Sequence, residues 1–147
     1  MLQKDSWHLL YKDHITNEEN DYQRINVPLC ELNTNLPKAK VDQSFVNELS
    51  QLIASTVNKP ERGVTLRVNP DQVMMKEGTL DPVVTMTVTG FLSQHFTDAM
   101  REKWMTTLTP FLSEKLGITD HGRIVVVFHS IEPTHFGFSG ILASTLL

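Results

Sequence analysis

The sequence predicts an α/β fold in which two duplicated βαβ units form a four-stranded mixed sheet with two helices on one face. Three observations carry this expectation. Two apolar stripes recur at helical spacing, one through Phe45, Leu49 and Ile53 and the other through Trp104, Leu108 and Leu112. Short segments rich in β-branched residues flank each stripe. The two halves follow the same plan at similar length, as an internal duplication would.

Residues 1–27 stand apart from this plan. They are rich in Asn, Asp, Glu and Gln, with one small apolar cluster at Trp7, Leu9, Leu10 and Tyr11. Neither a helical nor a strand period is sustained there. The expectation is a flexible N-terminal extension carrying a docking patch, followed by a domain over 28–147. The charges at Lys4, Asp5, Lys12, Asp13, Glu18, Glu19, Asp21 and Arg24, with no apolar core between them, match neither a secretory signal nor an acid-poor transit peptide.

The elements of the domain follow in order. Leu29 to Asn35 reads as a strand closed by Leu36-Pro37. Asp42 opens a helix whose stripe is Phe45, Val46, Leu49, Leu52, Ile53 and Val57, and Asn58-Lys59-Pro60 ends it because proline cannot continue a helix. Val64 to Val68 alternates as a strand, and Asn69-Pro70-Asp71 is a turn. Val83 to Thr89 reads as the third strand. Phe96, Met100, Trp104, Leu108, Phe111, Leu112 and Leu116 form the second helical stripe, ended by Gly117. Pro110 lies inside that stripe and predicts a kink or a break. Arg123 to Phe128 is apolar on both faces and reads as a strand buried from both sides.

With both helices on one face, the other face of the sheet is left uncovered. Leu32, Leu66 and Val126 are expected to lie there, exposing more apolar surface than a monomer usually tolerates, so cyclic self-association is expected.

Composition narrows the function classes. Hydrophobic residues make up 40% and charged residues 20%, as in ordinary globular domains. The net charge of -4 argues against a nucleic-acid binder that tracks phosphates. The single cysteine, Cys30, can form neither an internal disulfide nor a CxxC pair, and reads as a small buried hydrophobe. The longest apolar run, Ile124 to Phe128, is far too short to span a membrane, so no membrane insertion is expected. The six histidines, at 8, 14, 95, 121, 129 and 135, show no HxxxH or HExxH spacing, so no metal site and no cofactor is expected.

Several fixed points, in order, resemble the macrophage migration inhibitory factor / D-dopachrome tautomerase family over residues 28–147. They are Pro28 running into Asn33-Thr34-Asn35, Lys59-Pro60 after the first helix, Asn69-Pro70-Asp71-Gln72 followed by Met74, Asp81-Pro82, Gly122-Arg123-Ile124 and Gly137-Phe138. No single motif is specific, but the ordered set is. The resemblance implies a homotrimer with tautomerase pockets between subunits. It also implies cytokine-like signalling through a cell-surface receptor, by a protein found in the cytoplasm and secreted without a signal peptide.

In that family the N-terminal proline is the general base, which makes Pro28 the catalytic candidate. A keto–enol tautomerase removes a proton beside a carbonyl, and a base with a pKa near the working pH does this best. A free α-amine starts near 7.7–8.0, and an apolar pocket with a nearby cation lowers it further. In this chain Pro28 follows Val27, so its nitrogen is a tertiary amide without useful basicity. Two readings follow: an isomerase of small aromatic 2-oxo acids or dopachrome-like compounds once Pro28 is freed, or a non-catalytic, cytokine-like binding protein.

The resemblance assigns Lys59 to the substrate carboxylate and Phe91, Val125 and Phe138 to the pocket, with Phe136 as a further wall. Phe91 stands where the family's best-known member has isoleucine, and Val125 and Val127 where it has tyrosine and asparagine. Two polar groups that would orient an acidic substrate are thereby lost, and both valines read equally as strand core. The family's CxxC is replaced by Val83 and Met86, so thiol–disulfide exchange is not expected. Lys38 and Asp71 fall where the family carries charges proposed to engage a chemokine receptor.

Overall fold

The computed structural model describes residues 28–91 and 96–146. The expected extension over 1–27 lies outside the described residues. Among the described residues six strands and two α-helices follow one another: β1 (Leu29–Thr34), α1 (Gln43–Val57), β2 (Thr65–Asn69), β3 (Val84–Gly90), α2 (Asp98–Leu116), β4 (Ile124–Ser130), β5 (Gly137–Phe138) and β6 (Ile141–Leu142). The main sheet has the order β2-β1-β3-β4, and β5 and β6 form a separate hairpin. β1 runs parallel to β2 and antiparallel to β3, while β3 and β4 are parallel. Each βαβ unit thus supplies one parallel pair, and the central antiparallel pair joins the units into the expected four-stranded mixed sheet.

The helix ends fall where the sequence sets them. Asp42 caps α1 by accepting from Phe45 N at 3.0 Å, and Thr97 caps α2 by accepting from Met100 N at 3.3 Å. Both helices stop on a left-handed residue, Asn58 (φ 53°) and Gly117 (φ 67°). Pro110 does not break α2, which runs unbroken from Asp98 to Leu116. The proline lies on the exposed side, and so does Thr106, whose carbonyl loses its helical donor. Water can serve that carbonyl, so the cost of the proline stays local.

The core lies between the two helices and one face of the sheet. Phe45, Leu49, Ile53 and Val57 of α1 and Trp104, Leu108, Leu112 and Leu116 of α2 pack on Cys30, Leu32, Val84, Met86, Val88 and Ile124. Phe45 and Phe111 bring the helices together with ring centroids 5.8 Å apart. Phe96, expected at the head of the second helix, precedes it instead and packs against Phe128, with ring centroids 5.4 Å apart and planes tilted by 59°.

The structure corrects two expectations about the sheet. Leu32 is fully buried beneath the helices, and Leu66 and Val126 also pack on this core, so none of them lies on the uncovered face. Strand alternation places Leu32 with Cys30 and Leu66 with Val68, whereas Glu31, Arg67 and their neighbours turn the other way. The uncovered face is therefore mainly polar. β4 is likewise not buried from both sides within one chain. It is an edge strand, and Val127 is 42% exposed.

Three side chains fasten the far end of the sheet, where the Asn33-Thr34-Asn35 segment leaves β1. Thr34 Oγ1 donates to Val83 O at 2.8 Å. Asn35 donates to Leu80 O and Asp81 O, and its own oxygen accepts from Val83 N. Arg123, only 6% exposed, donates to the carbonyls of Pro82, Lys76 and Asp81. The long β2–β3 connection is thus held by carbonyls whose donors come from β1 and from the turn before β4.

Candidate functional site

Register places most of the expected site at the opposite end of the sheet. Leu29 pairs with Thr89 of β3 and with Thr65 of β2, so Pro28, one residue earlier, stands beside Gly90. Gly90 in turn pairs with Ser130 at the end of β4. The start of β1, the start of β2 and the ends of β3 and β4 therefore share one rim. Pro28 itself is buried there.

Lys59 enters through the connection from α1. The left-handed Asn58 reverses the chain, and Lys59 N donates to Ala54 O at 3.0 Å as the helix closes. Pro60 and the short turn Glu61–Gly63 then carry the chain to Thr65, the partner of Leu29. Lys59 is half-exposed, just past the last turn of α1.

Phe91 and Phe138 meet in a second, smaller apolar cluster. Phe91 and Ala143 are buried at its centre, with Ile131, Phe136, Phe138 and Leu146 packed around them. Phe91 meets Phe136 edge-on, with ring centroids 5.7 Å apart and planes at 87°. Two backbone bonds dock this cluster: Ile131 N to Gly90 O at 2.9 Å and Ala143 N to Phe136 O at 2.8 Å. The hairpin Gly137–Leu142 bounds a cleft of about 290 Å³ with Phe138 in its wall.

Val125 does not join them. It pairs with Thr85 and stands five residues before Ser130, roughly 16 Å along the strand from the rim. It belongs to the uncovered face, as does Val127. Of the five expected site residues, one chain brings Pro28, Lys59, Phe91 and Phe138 to one end and leaves Val125 at the other.

The uncovered face carries Glu31 and Arg67, which sequence reading did not single out, beside Asn33, Asn69, Val125 and Val127, which it did. Its rungs read Thr65–Leu29–Thr89–His129, Arg67–Glu31–Thr87–Val127 and Asn69–Asn33–Thr85–Val125. Asn69 Nδ2 donates to Glu31 Oε1 at 3.0 Å and to Asn33 Oδ1 at 2.9 Å, while Asn69 Oδ1 accepts from Arg67 Nε at 3.2 Å. Beside this network lies a cleft of about 250 Å³ lined by Leu29, Cys30, Glu31, Thr65, Arg67, Thr87 and Thr89. The alternation of polar with apolar residues in β1 and β2 was the signal that could have found it.

The electrostatics set limits on the chemistry. Burial pushes the Cys30 thiol up to about 12, so it carries no thiolate near neutral pH. Among the described residues no group of three His, Cys, Asp or Glu side chains could hold a metal ion. No described helix is long and apolar enough to cross a membrane. Lys38 and Asp71 are both exposed, and the bond from Asp71 N to Leu36 O at 2.9 Å brings their segments together.

A family model described as macrophage migration inhibitory factor matches residues 27–144. The chain is 28% identical over 114 residues to the macrophage migration inhibitory factor of Rattus norvegicus, a match covering 78% of this chain and 96% of that one. It is 27% identical over 125 residues to the D-dopachrome decarboxylase of Mus musculus, covering 82% of this chain and all of the relative. The solved structure of the macrophage migration inhibitory factor from Trichinella spiralis superposes with a TM-score of 0.70 at 25% identity, covering 78% of this chain and 99% of that one.

Proposed function

The chain belongs to the macrophage migration inhibitory factor family, and we propose that it is a cytokine-like protein with a keto–enol tautomerase activity that depends on a free Pro28. The placement of Pro28 at the rim shared with the α1–β2 connection supports this reading. Once residues 1–27 are removed, the Pro28 nitrogen becomes a secondary amine. It takes a proton from the carbon beside the carbonyl of a small aromatic 2-oxo acid or a dopachrome-like compound. The same proton, or one exchanged with water, is returned to the carbonyl oxygen, so the reaction is an isomerisation without redox change. Lys59 anchors the substrate carboxylate, and its charge favours the neutral, basic form of the amine.

The separation of Val125 from Pro28 supports a pocket completed by another copy, in the homotrimer expected for the family. In that arrangement Val125 of one subunit faces the rim of the next, and Phe91 and Phe138 supply the apolar wall. Receptor engagement falls to the exposed Lys38 and Asp71, and the protein acts in the cytoplasm and, after secretion without a signal peptide, outside the cell.

The second reading, a non-catalytic cytokine-like binder, draws support from the peptide bond joining Val27 to Pro28. Phenylpyruvate enolisation by the full chain and by the form beginning at Pro28 separates the two. Activity confined to the shorter form supports the enzyme. Equal activity in both forms removes Pro28 from the mechanism, and activity in neither favours the binder. The intact mass of the protein from its source shows which form exists.

A further inference from the structure

We propose that Glu31 and Arg67 on the uncovered sheet face of one copy pair with Arg67 and Glu31 of neighbouring copies, and that these contacts select the chain's own copies as partners. The inference rests on the reading above that the protein assembles, and it names the groups that hold the assembly together.

The geometry begins within one chain. Glu31 and Arg67 are register partners across β1 and β2, yet they do not bond each other. Asn69 stands between them, donating to Glu31 Oε1 and accepting from Arg67 Nε. Its second amide donor bond goes to Asn33. The network leaves Glu31 Oε2 and both Nη atoms of Arg67 without a bond among the described residues. Half a carboxylate and the outer edge of a guanidinium thus point away from the sheet, side by side and both exposed. Asn69 also restricts both side chains, which lowers the entropy lost when a partner binds them.

The pattern favours a second copy over other occupants. A uniformly acidic partner would meet Arg67 but be repelled by Glu31, and a uniformly basic one the reverse. A copy of the same face offers both charges in the order required, and guanidinium and carboxylate match as forks. The adjoining cleft of about 250 Å³ gives a side chain of the neighbour room to enter next to the pair. Val125 lies on this same face and is the candidate-site residue that a single chain cannot deliver to Pro28.

Sedimentation velocity on the full chain tests this, with the wild type, Glu31→Arg, Arg67→Glu and the double variant Glu31→Arg/Arg67→Glu. The wild type is expected to assemble, and each reversal to weaken association at least tenfold. The double variant should recover association, because every copy again offers one charge of each sign to its neighbour. Glu31→Gln, which keeps the bond from Asn69 but removes the charge, should weaken assembly less than the reversal. Circular dichroism should be unchanged, since both residues are exposed.

Variants that assemble as tightly as the wild type would overturn the contact and leave the assembly reading standing. A wild type that is monomeric at every concentration would overturn the assembly reading itself. A double variant that fails to recover would attribute the loss to damage within one chain, and would also overturn the contact.

Discussion

Arg123 reaches Asp81 across the far end of the sheet, its Nη2 donating to the Asp81 carbonyl at 2.7 Å. The same side chain serves Lys76 O and Pro82 O, so a buried guanidinium holds one loop through three backbone acceptors and, among the described residues, no carboxylate. Arg123→Met should leave the Pro82 carbonyl unpaired, reduce Lys76 O and Asp81 O to their bonds from Thr79 N and Asn35 Nδ2, and cost about 3 kcal/mol. The thermal midpoint should fall by roughly 10 °C. Arg123→Lys should lose most of the same stability, because one ammonium cannot span all three acceptors. Thermal denaturation followed by circular dichroism measures both.

Pro110 makes the opposite prediction. It sits on the exposed side of an unbroken α2, so Pro110→Ala restores one N–H to the helix without disturbing the core. The variant should be more stable by roughly 2 kcal/mol in denaturant titration, against a cost of about 3 kcal/mol for proline within a helix. A loss of stability would show that the proline shapes α2 in a way the core needs.

The Cys30 thiol, pushed up by burial to about 12, should be silent toward neutral thiol reagents in the folded protein and react fully on unfolding. The sign of the pH dependence follows. The folded state prefers the protonated thiol, so Cys30 leaves stability unaffected below the unfolded value near 9.0. As pH rises beyond that value the unfolded chain releases the proton first, and stability erodes toward about pH 12. Cys30→Ala should flatten this part of a stability-against-pH profile.

In the form beginning at Pro28, Lys59→Ala should reduce kcat/KM for phenylpyruvate by roughly 10- to 100-fold, mainly through KM if Lys59 anchors the carboxylate. The rate should climb as pH rises through the range of the α-amine, where the neutral base accumulates. Phenylpyruvate methyl ester, lacking the carboxylate, should lose only the smaller part of this effect, the part that Lys59 exerts through the amine.

Local signals carried much of this. Asp42, Asn58 and Gly117 mark helix ends by their own backbone and capping chemistry, which needs no distant partner. Apolar content alone puts Leu32 and Leu66 on the uncovered face, whereas strand parity gives that face to Glu31 and Arg67, which alternate with them. β4 offers no such parity, since Val125, Val126 and Val127 are alike, and only its place at the sheet edge distinguishes them. The distance between Pro28 and Val125 depends on the register of β1 with β3 and of β3 with β4, which pairs residues far apart in sequence. The Arg123 anchor was invisible for the same reason.

The central place of β1 bears on how the protein is made. The ribosome delivers this strand before any other described strand, yet Cys30 finds its neighbour Val88 only after both α1 and β2 have emerged. Until then β1 has an open edge, and Leu32 lacks Met86 alongside it, a state prone to mispairing. The same delay gives the nascent chain a chemical clock. Its one described cysteine stays open to thiol reagents until β3 docks, so pulse labelling of Cys30 reports the moment when the sheet closes around its first strand.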